Sequence, residues 1–168
     1  MIGIVGHPDL TAVTLKRLDR ELRARLEGIV PPGTVALARV GAGLPVAFAR
    51  AARKAGLALV AVLPAQGALP APLAEPDAVA AGEMLVLAEH VRLVDFDPRD
   101  RDACVTADET LIQSCRRILA VWDGSWSSGR DATAHLVAYA RSLGVPVDVV
   151  WPAGASRDGG YGVLGPAS

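Results

Sequence analysis

Aromatic residues make up only 4% of this 168-residue chain, although 51% of it is hydrophobic. Ala, Val and Leu must therefore build the core, which suits helices packed closely on a buried sheet. Cysteine is equally sparse. Cys104 and Cys115 form no CxxC pair and have no His at ligand spacing, so they read as reduced, partly buried thiols. The three histidines, His7, His90 and His135, are dispersed, so the sequence predicts no metal site and no resident cofactor. No run approaches the roughly 18 uninterrupted apolar residues of a membrane span, and Met1 leads straight into IGIVG without a basic stretch or a cleavage site. No membrane partner and a cytoplasmic location are expected. The net charge of −1, from 17 basic and 18 acidic residues, gives no broad positive field, and nucleic acid is disfavoured as a partner. Basic residues do gather in KRLDRELRARLE, residues 16–27, but the interleaved acids make that stretch a solvated helix face.

What is present alternates regularly. IGIV (2–5) reads as a strand, and Leu15, Leu18, Leu22 and Leu26 follow with a helical period, with Asp9 or Thr11 as cap. TVALARV (34–40) is a second strand, with a helix near 46–55 after it. Gly56 ends that helix, and LALVAVL (57–63) reads as a central parallel strand, apolar throughout. The proline-rich stretch 64–76 reads as a loop. A helix near 77–89, a strand at 91–96 and a helix through Val105, Leu111 and Ile112 come next. RILAVWD (117–123), a helix over 130–143 and PVDVVW (146–151) complete the pattern. Strand and helix alternation, with strand runs that lack polar alternation, predicts an α/β fold: a Rossmann-like, doubly wound, mainly parallel six-stranded sheet with helices on both faces. One domain over 1–152 and a glycine-rich C-terminal tail over 153–168, mobile or irregularly packed, are expected.

In such sheets ligands collect at the carboxyl ends of the strands, so the strand-to-helix loops are the places to inspect. Gly6 and His7 follow the first strand. Gly3 and Gly6 do not complete a G-x-G-x-x-G fingerprint, and His7 either faces a ligand or bonds only to its local backbone. Gly41 and Gly43 open the second helix, where free amides attract a phosphate or glycine merely makes the turn. The stretch AVWDGSWSSGRDATAHLVAYA (120–140) is the most informative. Asp123 and Gly124 end a strand, and Ser125, Ser127, Ser128, Gly129 and Thr133 set small and hydroxyl side chains around a helix start, with Trp126 placed to cover a base. The plainer reading is a surface turn capped by Ser128 or Asp131.

IGIVGH at the start, AVWDG (120–124), TAHLVAYA (133–140) and PVDVVWP near the end resemble the SLOG superfamily, relatives of the LOG phosphoribohydrolases and of the DprA Rossmann domain. The resemblance implies a Rossmann-like sheet, a nucleotide or nucleotide-derived ligand in the loops above, and frequent homo-oligomers, here a homodimer or higher. The departures are specific. LOG enzymes carry PGGxGTxxE and the deoxyribosyltransferases an SGTAxExGYA-like segment; setting either threonine on Thr133 puts the catalytic glutamate at Leu136, which cannot act as acid, base or nucleophile. Asp131 and Ala132 stand where a glycine pair precedes that threonine, and Gly43, Leu44 and Pro45 where relatives tend to show Gly-Ala-Asp.

Three readings follow. In the first the protein binds a small nucleotide ligand without transforming it, as a sensor or partner protein, through Gly6, His7, Gly41, Gly43, Asp123, Gly124, Ser125, Trp126, Ser128, Gly129 and Thr133, with no catalytic residue. In the second it is an N-glycosidase or phosphoribohydrolase in which Asp9 or Asp123 replaces the missing glutamate. In the third, Pro45 and Asp131 close the cleft and only protein contacts remain.

Overall fold

A computed structural model of the chain describes residues 1–158; positions 159–168 of the expected glycine-rich tail lie outside the described residues. The described residues form five helices and seven strands, beginning with β1 (Ile2–Gly6), α1 (Ala12–Ile29), β2 (Val35–Arg39), α2 (Leu44–Lys54) and β3 (Ala58–Gln66). They continue with β4 (Leu69–Pro70), α3 (Asp77–Leu87), β5 (His90–Asp95), α4 (Arg101–Gln113), β6 (Arg117–Val121), α5 (Thr133–Ser142) and β7 (Val147–Val150). The sheet runs β5-β3-β2-β1-β6-β7 with every pair parallel. The expected Rossmann-like architecture is present, with one addition. The stretch 64–76, expected to be a loop, carries β3 on to Gln66 and turns at Gly67 (φ 62°) into β4, antiparallel to β3. Ala65 pairs with Asp95 of β5 and with Pro70 of β4, so β4 lies on the β2 side of β3, past the end of β2. Proline is tolerated there because so short a strand needs few ladder donors.

Period-two alternation divides the strands between two cores. Leu59, Ala61 and Leu63 of β3 face α1, α2 and α3, where Leu18, Leu22, Leu26, Phe48 and Met84 are fully buried. Val60 and Val62 face the opposite layer with Ile112, Val137 and Ala140 of α4 and α5. Burial on both faces is why β3 is apolar up to Ala65. Thr11 caps α1, its hydroxyl accepting from the Thr14 amide at 3.2 Å, which leaves Asp9 free for another task. On the outer face of α1 the expected solvated charges pair one turn apart, Arg23 with Glu27 and Arg25 with Glu21. Burial pushes the Cys115 thiol up to about 11, and both cysteines are free. Among the described residues no helix is long and apolar enough to cross a membrane.

β1 sits at the centre. The chain steps outward from it through β2 and β3, then returns to its other side as β6 and β7, so the order reverses between β1 and β6 and opens a crevice at their carboxyl ends. Gly6 ends β1 at that point because nothing larger fits: a Cβ there would meet the Leu44 side chain and lie 2.8 Å from the Val121 carbonyl. Gly28, inside α1, has nothing within 4 Å of the same position. The two sites therefore predict opposite signs in urea unfolding. Gly6→Ala should lose about 1–3 kcal/mol by overpacking, and Gly28→Ala should gain about 0.5–1 kcal/mol from helix propensity.

Candidate functional site

His7, the first residue after β1, is 1% exposed. Its amide is spent in the sheet, donating to the Val121 carbonyl at 3.1 Å, and its ring lies edge-on to Trp151, centroids 5.7 Å apart. Neither ring nitrogen is free. Nδ1 donates to Asp131 Oδ2 at 2.5 Å. Nε2 lies 2.9 Å from Asp123 Oδ1 and 3.1 Å from the Asp123 amide, donating to the carboxylate when it carries a proton and accepting from the amide when it does not. The histidine thus clamps the end of β1 to both ends of the loop between β6 and α5.

Both aspartates have further partners. Asp131, 5% exposed, accepts the Thr133 amide at 2.8 Å through its other oxygen. Asp123 Oδ1 accepts the Ser125 amide at 2.9 Å, a local turn that follows directly from an Asp-Gly-Ser sequence with Gly124 at φ 87°. Burial pushes the Asp123 carboxyl up, but hydrogen bonds from Ser125 and the charge and hydrogen bond of His7 outweigh it and hold the group at about 2. Asp131 shows the same contest, with His7 and Thr133 holding its carboxyl well below the usual carboxylate range.

A third carboxylate converges from the turn before α1. Asp9 takes Arg157 in a fork, Oδ1 with Nε at 2.8 Å and Oδ2 with Nη2 at 3.2 Å. The same guanidinium donates through Nη2 to Asp131 at 2.9 Å, and through Nη1 to Ser125 Oγ at 3.1 Å and Asp123 Oδ2 at 3.4 Å. His7, Asp9 and Asp131 present ligand atoms within 4.8 Å of one another, a donor set that three dispersed histidines did not suggest. The positive charge set among them is that of Arg157. This arginine lies in the stretch expected to be a mobile or irregular tail and was not among the candidate residues; nothing short-range in the sequence marks it.

A cavity of about 380 Å³ adjoins the crevice on the β2 side, lined among others by Gly6, His7, Arg39, Gly41, Pro45, Asp77, Asp108 and Leu136. Arg39 and Asp108 face each other in a fork at 2.7 and 2.9 Å; burial pushes the guanidinium down, and the charge and hydrogen bond of Asp108 more than restore it. A larger concavity of about 680 Å³ crosses the outer surfaces of α1, α2 and α3, away from His7 and the carboxylates. Size alone does not make it the site, because no convergent buried polar groups line it.

The remaining candidate residues fall into two groups. Gly6, His7, Asp123, Ser125 and Thr133 meet at the crevice, and Gly41 lines the cavity beside it. Trp126 is 93% exposed at the loop tip, a side chain at Gly129 would meet open space, and Gly43 lines the larger concavity across α1, α2 and α3 rather than the crevice. Ser128 closes the loop on itself, its amide donating to the Asp131 carbonyl at 2.8 Å. Three of the backbone amides at these helix starts are engaged: Ala42 N–H donates to Asp77 at 2.9 Å and His135 N–H to Ser127 Oγ at 2.9 Å, besides Thr133 N–H to Asp131. With Asp9, Asp123 and Asp131 converging, the crevice is rich in acceptors.

No family model matches the sequence, and no curated protein matches it either. Solved structures do share its fold. The molybdenum cofactor carrier protein MCP from Chlamydomonas reinhardtii is 16% identical with a TM-score of 0.54, over 88% of this chain and 74% of that one. DNA processing protein A (DprA) from Streptococcus pneumoniae is 16% identical with a TM-score of 0.61, over 88% of this chain; the chain spans about half of it, 49%. The fold is thus the Rossmann-like α/β fold that the strand and helix pattern predicts, shared with both of these proteins.

The depressed carboxyls fix a pH dependence. Groups whose folded pKa lies below the ordinary value near 4 contribute stability that is full above it and lost as pH falls through the folded value. Thermal midpoints should therefore fall between pH 4 and about 2, where Asp123 titrates. Asp131→Asn should cost about 2–4 kcal/mol at pH 7 and flatten that fall.

Proposed function

We propose that the protein binds a small nucleotide-derived ligand at the carboxyl ends of β1, β2 and β6, and holds it without transforming it. The supporting observation is the convergence of buried, mutually fixed polar groups on a crevice at the point where strand order reverses, beside a cavity large enough for a nucleoside. Asp9 and Asp123 are 35% and 26% exposed and act as acceptors for sugar hydroxyls or for amino groups of a base. The cavity, with Arg39 and the apolar wall of Leu136, takes the rest of the ligand. Leu136 stands where the resemblance puts a catalytic glutamate, and its side chain lines that cavity, which favours holding over chemistry. The Chlamydomonas neighbour is a molybdenum cofactor carrier protein, which supports holding a small ligand here.

Thermal shift against nucleosides, nucleoside mono- and diphosphates, cyclic nucleotides and NAD-derived compounds tests this. A ligand at 100 times its Kd adds about 2.7 kcal/mol, an upward shift of about 5–10 °C for a chain of this size. No shift with any of them sinks the proposal. One observation favours a hydrolytic reading: Asp9 and Asp123 share a single guanidinium, so two carboxylates do face one crevice. Release of free base from a nucleoside monophosphate, abolished by Asp123→Asn, would establish that reading instead.

A further inference from the structure

Beyond β7 and Trp151 the chain turns back across the start of α1. Ser156 is bonded on both sides: its carbonyl accepts from the Thr11 amide at 3.2 Å and the Thr14 hydroxyl at 3.0 Å, while its amide donates to Thr14 Oγ1 at 2.8 Å. Leu10 and Arg157 form an antiparallel bridge, Asp158 N–H donates to the Asp9 carbonyl at 2.6 Å, and Arg17 donates to the Ala153 carbonyl at 2.5 Å. This registration delivers the Arg157 side chain into the three carboxylates. The segment contributes nothing to either apolar core: none of residues 153–158 is buried or packs in the two clusters.

That combination defines a detachable element. Burial of apolar surface anchors the sheet and helices, whereas partly exposed hydrogen bonds and ion pairs, each worth little net of solvation, anchor residues 153–158. Such a segment opens locally while the rest stays folded. Opening has one specific consequence. It removes the guanidinium from Asp9, Asp123 and Asp131, leaving an anionic crevice that needs donors to refill it. The Asp9 fork accepts two parallel N–H groups, and hydroxyl or amino groups of a nucleoside meet the same demand, whereas a phosphate would face three like charges.

We propose that residues 153–158 are a strap that closes the ligand crevice, with Arg157 occupying the place of the donor-bearing, non-phosphate end of the ligand. This rests on the ligand-binding reading above and adds that the bound molecule and Arg157 exclude each other. The ligand enters with its sugar or base toward Asp9 and Asp123, and its affinity is lowered by the work of lifting the strap.

Trypsin reads the strap directly, because its cleavage point after Arg157 is shielded while the side chain sits among the carboxylates. Initial cleavage at Arg157–Asp158 in the folded protein, followed by mass spectrometry with the exposed Arg130 as internal reference, should be about tenfold faster in Asp9→Asn and in Arg157→Lys, which keeps a cleavable charge without the fork. Raising sodium chloride from 50 to 500 mM should accelerate wild type in the same direction. Equal rates in wild type and both variants would show that no strap is closed. The second arm measures adenosine, guanosine and their 5′-monophosphates by calorimetry. Arg157→Ala should bind a nucleoside about tenfold more tightly than wild type, and the phosphate should add nothing. Equal nucleoside affinity in the two proteins overturns the competition while leaving ligand binding intact. Binding of none of these compounds by either protein removes the ligand reading and the competition with it, and the cleavage rates then decide the strap alone.

Discussion

A buried imidazole with both nitrogens committed is the interaction from which the rest of the crevice follows. His7 joins β1 to a loop more than a hundred residues away, and it does so without a free polar atom. Because Nδ1 holds Asp131, the second oxygen of that carboxylate stays aimed at the Thr133 amide and fixes where α5 begins. Because Nε2 holds Asp123, the Asp-Gly-Ser turn keeps its shape and Ser125 stays within reach of Arg157. A neutral hydrocarbon in place of the ring would take one hydrogen bond from each carboxylate, leaving Asp131 to Thr133 and Arg157 and Asp123 to Ser125 and Arg157, a cost of about 1–3 kcal/mol. The clamp therefore sets shape and charge together.

The charge it sets is unusual for this fold class. Helix N-termini at the strand ends of a doubly wound sheet commonly offer free amides to a phosphate, whereas here carboxylates and hydroxyls of the protein's own loops take some of them. Asp77 does so at the second loop and Asp131 with Ser127 at the last. An internal carboxylate at such an amide satisfies the same dipole that a phosphate would. What remains exposed at the crevice is acceptor oxygen. The recognition problem is thereby inverted, from catching an anion to catching a donor, and Arg157 is the protein's own solution to it.

The fold was legible because its signals are short-range. Four leucines at helical spacing specified α1, and the unbroken apolar run of β3 specified a strand buried on both faces. β4 was missed because prolines argue against strands generally, while an antiparallel pair of residues needs little from the ladder. Of the site, Gly6, His7, Asp123, Ser125 and Thr133 were legible as loop residues at strand ends, although their mutual bonds were not. His7 and Asp131 are 124 positions apart and Asp9 and Arg157 are 148 apart. One usable signal was present: once β1 and β6 are adjacent in the sheet with Gly6 opposite Val121, His7 and the segment beginning at Trp122 leave the sheet side by side, which brings Asp123 within reach of His7. Asp131 was read as a cap of the turn or as closing the cleft; its side chain does accept the Thr133 amide, and it also turns inward to the histidine, which no local pattern marks. Arg157 carried no signal, since composition marks its neighbourhood as tail and pairing with Asp9 is a tertiary event.

The same geometry bears on chemistry. A general base needs a pKa near the working pH and a free lone pair toward the substrate. Asp123, held at about 2, is a weak base, and its oxygens already accept from Ser125, His7 and Arg157. His7 has the right chemistry but no free nitrogen and no exposure. Displacing Arg157 would free Asp9 and one side of Asp123 without loosening His7, so the groups released are those suited to accept hydrogen bonds, while the group suited to move protons stays locked. Leu136 completes the case from the other wall of the cavity. A molecule seated there meets acceptors on one side and hydrocarbon on the other, an environment that favours retention over turnover.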